Sequence, residues 1–256
     1  MCSVAWRRGV HTEQLAEGLQ SGVLRVRDAE TGAVVAAQRV HRRRIGVCAW
    51  CPRGVLVATG SKDHAIGLVD VRAAPAATPT LAEAHRQEVC GLRWDPDGVL
   101  LASGGNDNRL VLWDHRVLAR PLAALDGHRA AVKALAWSPH ARGLLVSGGG
   151  TADRRLRFWD ARTLACLGAV DTGSQVCNAA WAAGVDELAT THGFSQNQIV
   201  VWDTAAVTAA VHSQAVRAPD TSTPPAAPVA TLRGHRARVL HLAVSPDGRT
   251  LVTGAG

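Results

Sequence analysis

The stretch VCGLRWDPDGVLLASGGNDNRLVLWD, Val89–Asp114, decides how the rest of the chain is read. Two short apolar runs, Val89–Trp94 and Leu110–Trp113, each end on a tryptophan, and Gly, Asp, Asn and Pro fill much of the space between them. Runs of this length with such punctuation read as antiparallel strands joined by tight turns. Outward from here the pattern repeats. Trp94 belongs to a series Trp6, Trp50, Trp94, Trp137, Trp181, with separations of 44, 44, 43 and 44 residues. Trp113 opens a second series with Trp159 and Trp202, separated by 46 and 43, and each is followed by aspartate: Asp114, Asp160, Asp203. All eight tryptophans fall in these two series.

A fixed period of about 40–45 residues with Gly-His and Trp-Asp marks is the signature of a four-stranded propeller blade of the WD40 type. The Gly-His mark stands at Gly127-His128 and Gly234-His235, with His41 and His85 in the corresponding places. The expected fold class is all-β: a WD40 β-propeller of about five and a half blades, each a four-stranded antiparallel sheet. The blades are expected at 2–38, 45–83, 88–124, 131–170 and 175–232, with a sixth at 238–256 broken off after two strands. In the second repeat Val69 takes the place of the usual tryptophan. Residues 204–227 (TAAVTAAVHSQAVRAPDTSTPPAA) interrupt the period. Their composition, rich in Ala, Pro, Ser and Thr, reads as a flexible surface insertion between the third and fourth strands of the fifth blade.

The formal charge of +7 raises the question of nucleic acid. Most basic residues are scattered arginines, the one dense run is Arg42-Arg43-Arg44 with no aromatic interleaved, and tyrosine is absent. Nucleic-acid binding is therefore not expected. Six cysteines read as reduced thiols. Cys48 and Cys51 form a CxxC, but they flank Trp50 on an expected strand, where residues three apart face opposite sides, so no metal site is expected. No signal peptide and no apolar run of membrane-spanning length is evident, which leads to an expectation of no membrane association and of nucleus and cytoplasm. Gly148-Gly-Gly-Thr151 lacks the Lys-[ST] of a phosphate loop and lies between strands. No cofactor and no enzymatic activity are expected.

Asp63, Asp107 and Asp153 each precede the tryptophan position of their repeat by six residues, in a tight turn. Such an aspartate is expected to accept a hydrogen bond from the repeat's histidine, pairing His85 with Asp107 and His128 with Asp153. The fifth repeat departs, with Gly173 for the histidine and Gln196 and Asn197 for the aspartate, and a weaker internal network is expected there. Propellers bind through loops on their faces. The positions entering each first strand are Arg44, Glu88, Ala131, Gln175 and Arg238; those between second and third strands include Lys62, Asn106 and Thr151. This mixture of amides, a hydroxyl and arginine suits a short polar peptide.

Several strings go beyond the generic repeat: QEVCGLRW (87–94), ASGGNDN (102–108), AVKALAWSP (131–139), GGGTADR (148–154), DTGSQVC (171–177), HGFSQNQ (192–198) and VSPDG (244–248). Together they resemble the Fizzy family of WD40 activators of the anaphase-promoting complex, and its Fizzy-related branch in particular. The resemblance covers nearly the whole chain except 204–227. It implies an adaptor that binds degron peptides of cell-cycle proteins on the propeller's top face and activates the ubiquitin ligase, with anaphase-promoting complex subunits and degron-bearing proteins as partners. It further implies that a Lys-Glu-Asn degron is held by Asn106, Thr151, Gln175 and Arg238. Family members have seven blades, so the first blade, the end of the last, the destruction-box groove between them and the ligase-binding segments are expected to lie outside this sequence, leaving open blade edges and low stability. The rival reading is a generic WD40 interaction scaffold without degron specificity.

Overall fold

The computed structural model describes residues 2–7, 13–72, 79–83, 85–213, 225–245 and 247–256. The chain divides into two compact units, Met1–Asp126 and Gly127–Gly256. The first unit holds three antiparallel sheets: β1 (Ser3–Arg7), β2 (Gln14–Gly18), β3 (Val23–Asp28) and β4 (Val34–Arg39); β5 (Ile45–Trp50), β6 (Leu56–Ser61), β7 (Ala65–Asp70) and β8 (Thr80–Glu83); β9 (Val89–Trp94), β10 (Leu100–Gly105), β11 (Leu110–Asp114) and β12 (Ala123–Leu125). The second holds β13 (Val132–Trp137), β14 (Leu144–Gly149), β15 (Arg155–Asp160) and β16 (Ala165–Asp171), then β17 (Val176–Trp181), β18 (Glu187–His192), β19 (Ile199–Asp203) and β20 (Ala227–Leu232). A two-stranded sheet, β21 (Val239–Val244) and β22 (Leu251–Ala255), completes it. In every sheet the strands neighbour one another in sequence order, the meander expected of a blade.

The two tryptophan series do different work. Trp50, Trp94 and Trp181 of the first series sit at the ends of first strands and reach to the preceding repeat. The indole N–H of Trp50 donates to the carbonyl of Ala5 (2.9 Å), that of Trp94 to Ala49 (3.1 Å) and that of Trp181 to Ala136 (3.3 Å). The same spacing that marks the repeat in sequence thus joins one sheet to the next within each unit.

Those of the second series close a network inside each sheet. Trp113 Nε1 donates to Ser103 Oγ (2.8 Å), Ser103 meets His85 Nε2 (2.8 Å), and His85 Nδ1 meets Asp107 (3.0 Å). The arrangement that gives every donor an acceptor has the serine O–H donating to Nε2 and the Nδ1–H donating to the carboxylate. Trp159, Ser147, His128 and Asp153 repeat the set. His41, Thr59 and Asp63 repeat it without a tryptophan, and His235 meets Thr253 at 2.9 Å in the last sheet. The expected histidine–aspartate pairs are therefore present, and the hydroxyl that joins them to tryptophan is the member the sequence reading had not assigned. Glycine completes the turn: a Cβ on Gly105 or Gly149 would collide with the Asp107 or Asp153 carboxylate.

Two expectations require correction. The fifth sheet, expected to have a weaker network, lacks the carboxylate but keeps the hydroxyl bonded to both an imidazole and an indole. His192, at the end of β18, takes the histidine's place, with Nε2 2.7 Å from Thr190 Oγ1 and Nδ1 3.1 Å from Ser174 Oγ, while Trp202 Nε1 donates to Thr190 (2.8 Å). The ring comes from within the sheet, so neither a histidine at 173 nor an aspartate at 196 is needed. The insertion is also not all surface loop. Ala205–His212 form a helix, α1, whose Val207 and Val211 are buried in the cluster that contains Phe158, Trp181 and Trp202. The i, i+4 valine pair makes one apolar stripe that a reading of bulk composition hides. Arg162 donates to the carbonyl of Val211 (3.1 Å), and His212 Nε2 lies 3.1 Å from the carbonyl of His140. Residues 214–224 of the insertion lie outside the described residues.

Removing the linking hydroxyl leaves both an indole N–H and an imidazole nitrogen without partners. Ser147→Ala is expected to cost about 1–3 kcal/mol for each group left unpaired, measured by urea denaturation, with Ser147→Thr retaining most of the stability; an unchanged midpoint in Ser147→Ala would refute the assignment. His192 lacks a carboxylate, and burial pulls its pKa from 6.5 down to about 4. Because the folded value lies below the unfolded one, the unfolded chain binds the proton better between them, so stability is full above 6.5 and lost as the pH falls towards 4. Between pH 7 and pH 5 this one ring should account for a loss of roughly 2 kcal/mol. His192→Gln should flatten the slope of unfolding free energy against pH by that amount, and an identical slope in both proteins would contradict it.

Candidate functional site

The turns that carry the expected binding residues are positioned by the internal networks. In the first unit Asp107 is held by His85 and accepts the backbone N–H of Arg86 (2.7 Å), and Asn108 takes a left-handed φ of 66°. This pinned turn presents Asn106 to solvent, with its backbone N–H on the Glu88 carbonyl (2.9 Å). Two other loop positions of this unit bind each other. Arg44 Nε and Nη2 donate to the two carboxylate oxygens of Glu88 at 2.9 and 2.8 Å, a bidentate pair of the strong, directional type. Lys62 donates its backbone N–H to the Arg44 carbonyl (3.0 Å). Arg44 and Glu88 thus satisfy one another and are poor candidates for ligand contacts.

In the second unit three of the expected residues come together. Thr151 is exposed on the turn before Asp153, and its hydroxyl donates to Gln175 Oε1 (3.4 Å). A Cβ built on Gly193 would lie 3.0 Å from Gln175 Oε1 and 3.1 Å from Arg238 Cγ, so Gln175 and Arg238 flank the same glycine. Backbone bonds tie that turn to the entry of β17: the Gly193 N–H donates to the Gln175 carbonyl (2.9 Å), and the N–H groups of Gln196 and Asn197 donate to the Gly193 carbonyl (3.1 and 3.2 Å). Phe194 projects from this turn, 60% exposed, and the Arg238 guanidinium carbon lies 5.2 Å from its ring centroid. That contact is a cation–π pairing, which orients the arginine without neutralising it.

Phe194 is the residue the sequence reading missed. The offset that selected Lys62, Asn106 and Thr151 in the second to fourth repeats reaches the Gly193–Ser195 turn in the fifth. The local patch therefore has a cation, a primary amide, a hydroxyl and an aromatic wall. It can recognise a carboxylate beside amide or hydroxyl groups on an extended peptide.

The CxxC thiols go to separate partners. Cys48 is buried beside Ser3 Oγ (3.3 Å), and burial pushes its pKa up to about 11. Cys51 faces the Gly98 carbonyl (3.7 Å). Among the described residues no helix is long and apolar enough to cross a membrane.

Comparison with known proteins places these features in a family. A family model described as the CDC20/Fizzy WD40 domain matches residues 1–256. The chain is 46% identical over 257 residues to Protein FIZZY-RELATED 2 of Arabidopsis thaliana, covering 100% of this chain and 48% of that protein. It is 51% identical over 138 residues to a Dictyostelium discoideum protein named anaphase-promoting complex subunit cdh1, covering 54% of this chain and 16% of the other. A chain in the crystal structure of the Mitotic Checkpoint Complex superposes with a TM-score of 0.84 at 35% identity, over 98% of this chain and 72% of that one. The chain spans about half the length of the curated full-length relatives it matches. Its fold is the WD40 β-propeller, here as five four-stranded sheets and a two-stranded one. The chain belongs to the CDC20/Fizzy family of WD40 domains, in its Fizzy-related branch.

Proposed function

We propose that this chain is the substrate-receiving part of an activator of the anaphase-promoting complex, acting in nucleus and cytoplasm as an adaptor without an active site of its own. It binds degron peptides of cell-cycle proteins on the loop face that carries Thr151, Gln175 and Arg238. The observation that carries this reading is the convergence of those three side chains around Gly193, with Phe194 beside the guanidinium. Arg238 makes no ion pair among the described residues, so its charge is available to a ligand. In a Lys-Glu-Asn degron the glutamate carboxylate pairs with Arg238, and the asparagine amide exchanges hydrogen bonds with Gln175 and Thr151. Asn106 carries the same type of group on the equivalent turn of its own repeat, and its contribution is read from its own variant. A relative bearing the name of an anaphase-promoting complex subunit supports the choice of ligase.

A fluorescent Lys-Glu-Asn peptide titrated against the chain tests the reading. Loss of a hydrogen bond to a charged group is worth about 1.5–3 kcal/mol, so Arg238→Ala should weaken binding by roughly tenfold to a hundredfold. Gln175→Ala, Thr151→Ala and Asn106→Ala should each cost several-fold, and a peptide with all three degron residues changed to alanine should not bind. If all four variants match the parent while the protein still captures cell-cycle proteins, the rival scaffold reading stands instead.

A further inference from the structure

A concave site lies in the fourth repeat, separate from the patch around Gly193. It is a cavity of about 300 Å³ into which Arg129, Arg154, Arg155 and Arg157 project together with Asp153 and Asp171. Both carboxylates are already used: Asp153 is bonded to His128, and Asp171 accepts the Gly173 backbone N–H (2.8 Å). None of the four arginines makes an ion pair among the described residues, whereas Arg25, Arg27, Arg44, Arg72, Arg116 and Arg162 all do.

Two of the four stand where the repeat would favour something else. Counted from the tryptophan position, Arg157 corresponds to Gly67, Val111 and Val200, and its cross-strand partner Ser147 corresponds to Thr59, Ser103 and Thr190. Val111 and Val200 are buried, and the first sheet's Arg25 pairs with Glu17 across the strands, so Arg157 puts a guanidinium where two other sheets put a valine and has no such carboxylate partner. One nitrogen, Nη2, donates to the Gly127 carbonyl (2.7 Å), but Nε is buried with no hydrogen-bond partner. A buried donor without an acceptor is uncommon. Arg154 holds a left-handed φ of 54°, at the turn position occupied by His64, Asn108 and Asn197 in neighbouring repeats. Asparagine and histidine tolerate that conformation well and arginine less so.

We propose that this cavity receives a phosphorylated serine or threonine of a bound peptide. Four guanidinium groups over two carboxylates leave a surplus of two positive charges, which matches a phosphoryl group near its dianionic state. Guanidinium forks suit its three acceptor oxygens, and Arg157 is the least exposed of the four arginines. A peptide is favoured over a free anion because the cavity begins at Ala152, next to Thr151 on the same turn. The two sites are tested independently, since the phosphoryl pocket does not require a Lys-Glu-Asn sequence.

The test is fluorescence polarisation of the full 256-residue chain with a labelled phosphothreonine peptide of otherwise neutral sequence containing no Lys-Glu-Asn. The phosphopeptide is expected to bind at least tenfold tighter than its unphosphorylated and glutamate-substituted forms, with affinity falling as salt rises and with inorganic phosphate competing at higher concentration. The exposed pair Arg154→Ala/Arg155→Ala should abolish that preference, and Arg157→Lys, which keeps the charge but not the fork, should reduce it several-fold. Equal affinity for all three peptides, no binding of any, or a preference surviving in the double variant would overturn the proposal. Binding of phosphoinositide vesicles without binding of the phosphopeptide would overturn it too, in favour of a lipid headgroup.

Discussion

One buried hydroxyl in each of the third, fourth and fifth sheets holds the inner architecture together. Ser103, Ser147 and Thr190 each accept an indole N–H from the third strand and meet an imidazole nitrogen of about the same depth. These groups are buried, so each must be paired within the protein or carry the cost of desolvation. In the third and fourth sheets the pairing locks three elements at once: the second strand that bears the hydroxyl, the third that bears the tryptophan, and the segment that bears the histidine. In the second, third and fourth repeats the histidine passes the constraint to an aspartate, which fixes the turn between second and third strands. That turn carries Asn106 in one repeat and Thr151 in another, so the geometry of the candidate site follows from a buried network several residues away.

Much of this was legible in the sequence because the constraint is periodic. Trp113, Trp159 and Trp202 announce the third strands, and Asp107 and Asp153 the turns. What the pattern could not show was which hydroxyl joins them, since Ser and Thr are common in strands and carry no distinctive spacing. Nor could it separate the two roles of tryptophan, because Trp94 and Trp113 differ in partner and not in residue type. The helix at Ala205–His212 escaped for another reason: its buried face is only Val207, Thr208 and Val211, set in a segment whose overall composition resembles a linker.

The loop positions were legible as positions and not as states. Counting residues from the tryptophans placed Arg44, Glu88, Gln175 and Arg238 in equivalent loops, but charge complementarity sorts them. Arg44 and Glu88 neutralise each other, whereas Arg238 meets an aromatic face, which holds its direction and leaves its charge unspent. Equivalent positions in a repeat protein need not be equivalent in availability, and only the contacts of each side chain distinguish a structural arginine from one presented to a ligand.

The fifth repeat joins these threads. It lacks the usual histidine and aspartate, which as a pattern looks like decay. His192 instead sits two residues from Thr190 on β18 and satisfies the same hydroxyl from inside the sheet. What is preserved is the pairing of the buried hydroxyl with an indole and an imidazole, not the identity of the residues at fixed offsets. Once the ring comes from β18, the following turn has no aspartate to hold inward, and it is free to carry Gly193 and Phe194. Gly193 leaves room for Gln175 and Arg238 to approach, and Phe194 supplies the face that Arg238 rests on. The departure from the repeat is therefore what gives the candidate site its aromatic wall, a gain of surface chemistry that leaves the bonds among Trp202, Thr190 and His192 in place.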